Sequence, residues 1–229
     1  MNGALFGAAR GGDERTEDME IKRFVGGNIA SNGYIVFEKG GDVCYIVDPG
    51  HSGGKFLRAA QDAGLRILGI LLTHHHYDHV GGVQRIQSAV DCPVCIHKDD
   101  ADAYKGRADV LLSGGESFPL GSESLLVLHT PGHTRGSVCF RSARGETAFT
   151  GDTIFNVDLG RTDLADGSAS AMERSVRETV SGWPDDTMLY PGHGDPCNMR
   201  FVRVHNGEYL DIMGEGARHR PWKSGGFVL

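Results

Sequence analysis

At 229 residues the chain suits one domain with a substantial core, and a second full domain is not expected. Its 23 lysines and arginines against 30 aspartates and glutamates give a formal charge of -7, which repels a phosphate backbone and argues against a nucleic-acid partner. No apolar run approaches membrane-spanning length and residues 1–20 lack the apolar centre of a secretory signal, so the expected setting is cytoplasmic with no membrane association.

Small, polar and charged residues fill positions 1–20, which predicts a flexible N-terminal extension ahead of a single domain over residues 21–229. Extended runs follow at 21–25, 33–37 and 43–47, the last two separated by Glu38, Lys39, Gly40, Gly41 and Asp42 as in a hairpin. The turn Asp48-Pro49-Gly50 stops the third run, and Phe56, Leu57, Ala60 and Ala63 then fall at helical spacing over 55–63. A strand at 67–72 leads into a histidine-rich loop, beyond which Val83, Ile86 and Val90 predict one helix over 80–90. A strand at 94–96 and a short helix at 99–104 precede a second strand-rich stretch at 125–128, 138–140 and 147–150. A helix at 168–180 and a strand at 187–190 complete the pattern. Strand-rich blocks occurring twice, each followed by helices, predict an α/β fold with two sheets face to face and helices outside.

The five cysteines, Cys44, Cys92, Cys95, Cys139 and Cys197, are an odd number scattered along the chain, which fits reduced thiols better than a disulfide framework. Cys92 and Cys95 have the C-x-x-C spacing of redox and zinc sites. No second pair accompanies them and 94–96 reads as a buried strand, so core packing is their expected role.

The decapeptide THHHYDHVGG at 73–82 sets His74, His76, Asp78 and His79 within six positions, directly after an apolar strand. In an extended chain, side chains two apart point the same way, so His74, His76 and Asp78 can converge at the strand end, as a metal site requires. Four further positions lie shortly after apolar strands and beside or near glycine: Asp48 in VDPG, His133 in TPGHTRGS, Asp152 in TGDTIF and His193 in YPGHGDP. Each alone is an ordinary turn; together with the histidine loop they are a metal-site pattern. Imidazole and carboxylate donors without thiolate suit zinc, and iron or manganese also accept such a set. His75 and His79 have the i, i+4 spacing of helical zinc proteases, but His76 stands where those proteins carry glutamate, so His75 is expected to turn away from the ligands.

The ordered set HxHxDH, Gly-His, Gly-Asp and Gly-His resembles the metallo-β-lactamase superfamily of metal-dependent hydrolases, from about Asp48 to Asp195. The resemblance implies an αββα four-layer sandwich. It further implies that His74, His76 and His133 hold one divalent metal, that Asp78, His79 and His193 hold a second, and that Asp152 bridges them. Asp48 is then expected to support the histidine loop through hydrogen bonds. A water between two such ions is acidified to hydroxide for attack on a carbonyl, with Asp78 orienting it as the catalytic carboxylate.

Residues 151–163, GDTIFNVDLGRTD, look like the corresponding stretch of small glyoxalase II-like proteins and persulfide dioxygenases, which narrows the expected small-molecule substrate to thiol-linked compounds. In this family a bridging aspartate accompanies thioesterases, lactonases and phosphodiesterases, whereas β-lactamases usually carry cysteine or serine there. The leading expectation is therefore a dinuclear zinc hydrolase of thioesters such as S-acylglutathione; the alternative is a mononuclear iron dioxygenase of persulfides, with iron on His74, His133 and Asp152. Arg161 and Asp163 stand where glyoxalase II has the lysine and near where it has the tyrosine of its glutathione site. Arg161 can pair with a substrate carboxylate through its forked guanidinium, or with Asp158 or Asp163. The basic, aromatic tail at 218–223 can cap the site or a partner subunit, or pack its one tryptophan on the domain.

Overall fold

A computed structural model describes residues 19–214. The first sheet carries β1 (Met19–Gly26), β2 (Ser31–Glu38), β3 (Val43–Val47), β4 (Arg66–Leu71), β5 (Val94–His97) and β6 (Val110–Leu112), side by side in chain order. Its first three strands are antiparallel and the remaining pairs parallel. The second sheet carries β7 (Ser117–Leu120), β8 (Glu123–His129), β9 (Val138–Ser142), β10 (Thr147–Gly151), β11 (Met188–Pro191) and β12 (Cys197–Asn198), again in chain order, with β10 and β11 as its one parallel pair.

Strand periodicity explains why the sheets stack. Along β2, Ile35 and Phe37 join the cluster that includes Phe56, Ala60, Val83 and Ile86, while Tyr34 and Val36 join a second cluster with Leu125, Val127, Phe140 and Phe149. The same division holds for Cys44 and Ile46 against Tyr45 and Val47 on β3. Successive side chains point to opposite faces, so strands buried on both faces read as unbroken apolar runs. On the far side, Cys139, Ala148 and Leu189 share a cluster with Met172, Val176, Val202 and Tyr209. The outer layers are α1 (Gly53–Asp62) and α3 (Val83–Gln87) on the first sheet, and α4 (Ala169–Glu178), α5 (Met199–His205) and α6 (Gly207–Met213) on the second. The result is the four-layer αββα sandwich. Among the described residues no helix is long and apolar enough to cross a membrane.

The structure corrects several expectations. The extension predicted over 1–20 lies outside the described residues except for Met19 and Glu20, which already pair with Glu38 and Phe37 in β1. The single helix expected over 80–90 is instead α2 (Tyr77–Val80) followed by α3, broken at Gly81 and Gly82. A Cβ on either glycine would lie within 2.5 Å of the Gly50 or Pro49 carbonyl oxygen, so these positions let the helices press against the turn after β3. The helix expected over 99–104 is a 3₁₀ turn at Lys98–Asp100, and helix 168–180 is α4 with Ser168 as its N-cap. Strands β6, β7 and β12 and helices α5 and α6 were not anticipated. All five cysteines are unpaired; burial pushes the Cys44 and Cys95 thiols up to about 12, as inert core groups require. The tail at 218–223 lies outside the described residues.

Candidate metal centre

Every predicted ligand sits where a strand of one sheet or the other ends. Asp48 follows β3, His74 and His76 follow β4, His133 lies between β8 and β9, Asp152 follows β10, and His193 follows β11. The histidine loop does not continue the strand, however. His76 is extended but serves as the N-cap position of α2, and Asp78 and His79 lie within that helical turn. Convergence comes from the loop-to-helix transition, not from alternation along β4.

The ligand atoms of His74, His76 and His133 lie within 4.8 Å of one another, as do those of Asp78, His79 and His193. Asp152 stands between the two groups: its Oδ1 is 3.4 Å from His79 Nε2, and its Oδ2 is 3.5 Å from His133 Nε2 and from His193 Nε2. Asp78 Oδ2 is 3.2 Å from both His79 Nε2 and His193 Nε2. All seven predicted residues are thus brought together.

Hydrogen bonds behind the centre orient the rings. Asp48, held at a φ of 46° that aspartate tolerates, accepts from the Thr73 backbone N–H at 2.7 Å and from the Thr73 hydroxyl at 2.5 Å. Because that hydroxyl donates to Asp48, its oxygen is left to accept from His74 Nδ1–H at 3.0 Å, which frees His74 Nε2 as a donor atom. Asp48 Oδ2 also accepts from His79 Nδ1 at 3.1 Å. His133 Nδ1 donates to the Arg161 carbonyl at 2.8 Å and His193 Nδ1 to the Ile29 carbonyl at 3.2 Å, so in the neutral form of either ring the lone pair is on Nε2, which in His133 lies 2.8 Å from His76 Nδ1. Such partners fix tautomer and ring angle in metal sites.

These residues fit a divalent metal pair. His74 Nε2 is buried without a hydrogen-bond partner, and Asp78 Oδ2 and Asp152 Oδ1 meet only imidazole nitrogens at 3.2–3.4 Å, an arrangement that costs free energy unless a cation meets them. Gly192 keeps the space open, since a Cβ there would stand 2.1 Å from Asp152 Oδ1 and 2.6 Å from His79 Cε1. Burial and the neighbouring imidazoles hold His74 well below the usual histidine range, and burial with His133 and His75 lowers His76 to about 4, so both rings are neutral donors. At His79 burial opposes charge, but Asp152, Asp48 and Asp78 outweigh it and raise the pKa; at His193, Asp78 and Asp152 do the same. This half of the centre therefore favours positive charge.

His75 points away from the ligands, as expected. Its Nδ1 is 3.0 Å from Asp100 Oδ2 and its Nε2 is 3.5 Å from Asp166. Asp100, which sequence reasoning did not single out, is a fully buried carboxylate that also accepts from the His75 backbone N–H, the Thr134 hydroxyl and the Gly136 N–H. It ties the histidine loop to the His133 loop. Nothing in Lys98-Asp99-Asp100 distinguishes it from exposed Asp99. The His97, Asp99 and His129 cluster carries no comparable site, because the two rings stack at 4.0 Å and 11° and cannot aim their in-plane lone pairs at one ion.

The centre opens into a pocket of about 720 Å³, lined by His76, Asp78, His133, Asp152 and His193 together with residues 155–159, Ile29, Tyr77, Arg161 and Leu164. Asn206, fully buried, holds the 155–159 segment by donating to the Phe155 carbonyl at 3.2 Å and the Asp158 carbonyl at 2.8 Å, while its Oδ1 caps α6. Asn206→Ala is expected to cost about 2 kcal/mol in denaturant titration, from a lost cap and two orphaned carbonyls, and to raise KM more than it lowers kcat. An unchanged KM with full stability would remove Asn206 from this role.

The family model described as the metallo-beta-lactamase superfamily matches residues 26–193, which contain the entire constellation. The chain belongs to the metallo-beta-lactamase superfamily. Within it, the chain is 39% identical over 170 residues to the hydroxyacylglutathione hydrolase of Methylococcus capsulatus, a match covering 74% of this chain and 64% of that relative. It is also similar to two solved structures. One is the BLEG-1 B3 metallo-beta-lactamase, at 29% identity and a TM-score of 0.74, covering 82% of this chain and 98% of that one. The other is TTHA1623 in a di-iron-bound form, at 32% identity and a TM-score of 0.72, covering 81% and 98%. A superfamily fold hosts many reactions, so the reaction must be argued from the site.

Proposed function

We propose that this metallo-beta-lactamase superfamily chain hydrolyses thioesters of the S-acylglutathione kind, with the thiol carrier left open, using two divalent ions, zinc in the first instance. The placement of Asp152 carries this reading: one carboxylate faces both histidine groups, an arrangement suited to a dinuclear centre. In this family such an aspartate goes with thioesterases, lactonases and phosphodiesterases and not with typical β-lactamases, and the similarity to a hydroxyacylglutathione hydrolase favours the first of these. His74, His76 and His133 would hold one ion and Asp78, His79 and His193 the other. Bound there, divalent ions acidify water and polarise a carbonyl oxygen.

The chain's own residues do the rest. Asp78 and Asp152 accept hydrogen bonds from the attacking water and set its direction toward the acyl carbon. Asp48 and the Arg161 and Ile29 carbonyls keep the imidazoles in the tautomer that leaves a lone pair toward the pocket. Collapse of the tetrahedral adduct expels a thiolate, whose parent thiol has a pKa of about 8.5, so no protonating residue is required at that step.

Metal quantification of the purified chain, alongside a panel of thioesters, lactones, phosphodiesters and a cephalosporin, tests the reading. Two zinc ions per chain and turnover confined to thioesters support it. A single iron with oxygen consumption on a persulfide, or turnover of the cephalosporin alone, would replace it. Two iron ions per chain, the metal of the similar di-iron-bound TTHA1623 structure, would replace zinc while leaving the dinuclear reading in place.

Arg161 has a smaller part than its position in the sequence implied. Its guanidinium is exposed and already forked onto Asp163, with Nε at 2.7 Å and Nη2 at 2.9 Å from the two carboxylate oxygens. An exposed pair of this kind is screened by solvent and adds little to stability. Arg161→Ala leaves the backbone carbonyl on His133 in place, so KM for a thioester is expected to change less than about threefold with metal content unaltered. A tenfold rise in KM would mean that the guanidinium leaves Asp163 to grip the substrate.

A further inference from the structure

Among the described residues nine large apolar side chains are strongly exposed, and four of them, Ile29, Tyr77, Val157 and Leu164, ring the mouth of this one pocket. Scattered exposed apolar residues need no explanation, but a cluster around a reactive centre marks a surface that a ligand covers. Phe155 and Leu159 continue the apolar wall inward. Among the described residues the only lysine or arginine in the lining is Arg161, engaged by Asp163, while Asp158 adds a carboxylate. Glu208 holds the Leu159 N–H behind that wall at 2.6 Å, placing a second negative charge nearby. Among the described residues a substituent bearing carboxylates finds no unpaired lysine or arginine here, whereas an alkyl or aryl group finds apolar surface on several sides. The elements supplying that surface are independent, namely the turn after β1, helix α2, and the loops at 155–159 and 161–166, so the wall is assembled by the fold and not by one segment.

We propose that the pocket is an acyl subsite selecting thioesters with an apolar acyl chain on an uncharged thiol carrier, and that Ile29, Val157 and Leu164 set this preference. The inference rests on the thioesterase reading and sharpens its substrate class. Burying one methylene in such a wall multiplies kcat/KM by about two to four, the lower figure applying where the chain stays half-exposed.

The test uses the metal-loaded full chain with acetyl, butanoyl, hexanoyl and octanoyl thioesters of N-acetylcysteamine, and with the hexanoyl group carried on N-acetylcysteamine or on glutathione. The expected result is a rise in kcat/KM of about two- to fourfold per methylene up to hexanoyl, expressed mainly in KM, and a lower value on glutathione. The double variant Val157→Ser with Leu164→Ser is expected to flatten that slope at unchanged metal content and melting temperature, and Ile29→Ser to flatten it in part. A flat or falling series, a preference for the glutathione carrier, or a slope that survives in the folded double variant would overturn the proposal. Thioester turnover without chain-length dependence overturns this inference alone. No turnover of any thioester by metal-loaded chain defeats the thioesterase reading and the subsite with it.

Discussion

Asp152→Ala is expected to lose at least one of the two ions held on the proposed reading and to lower kcat/KM for a thioester by about a thousandfold or more, equivalent to about 4 kcal/mol of transition-state stabilisation. Among the described residues Asp152 is the one carboxylate within 3.5 Å of ring nitrogens from both groups, so its removal separates them electrically as well as geometrically. Replacement by alanine leaves His79 and His133 facing a gap that only water can fill. Asp152→Asn sharpens the result: it keeps the shape and removes the charge, and a bridging amide is a poor ligand for two cations at once. Both variants should bind less metal by elemental analysis and show a smaller metal-dependent rise in melting temperature. Parent-like metal content with parent-like rate in Asp152→Ala would mean that the carboxylate is not the bridge and that the two groups work separately.

Asp100→Asn is expected to destabilise the chain by about 3 kcal/mol and to weaken metal binding by about ten- to a hundredfold, although Asp100 lies in neither ligand group. Its two oxygens accept from two backbone N–H groups and a hydroxyl, with the His75 ring nitrogen 3.0 Å from Oδ2, so either placement of an asparagine amide sets an NH₂ against a donor. The loops it joins carry His74 and His76 on one side and His133 on the other, and separation of these loops would spread the first group. Burial pushes the Asp100 carboxyl up, but hydrogen bonds from His75 and Thr134 outweigh it, and its pKa falls below the ordinary 3.8. A carboxylate lowered on folding contributes stability that is fully present above its unfolded pKa and lost as pH falls through the folded one. Denaturation of the parent should therefore carry an acid dependence below about pH 4 that the asparagine variant lacks. A stability loss under about 1 kcal/mol with unaltered metal affinity would reduce Asp100 to a passive core group.

Much of this molecule could be read before any coordinates. The ligand set was legible because few residue types bind metal, and each lies just after an apolar strand, where a turn can present it. The central strands β2 to β5 were legible for a related reason: burial on both faces leaves apolar runs such as those containing Ile35, Ile46, Leu71 and Ile96, and these runs have few other uses. The edge strands lacked that signature. Val110 and Leu111 on β6 are exposed, and β7 contains Pro119, which suits an edge and weakens a strand pattern. Helix 80–90 was misread because Val83, Ile86 and Val90 keep helical spacing across a break whose cause lies elsewhere in the chain, at the carbonyls of Pro49 and Gly50.

The sequence by itself determined which residues can bind metal and the order in which they occur, since that depends on side-chain chemistry and on local turns. The tertiary structure decided how closely these side chains are grouped, which ring nitrogens the backbone carbonyls and Asp48 engage, and that Asp100, Asn206 and the apolar ring around Val157 lie against them. Those properties depend on contacts between distant segments, as in His133 with Arg161, Asp48 with His79 and Asn206 with Asp158, and no local pattern encodes such pairings.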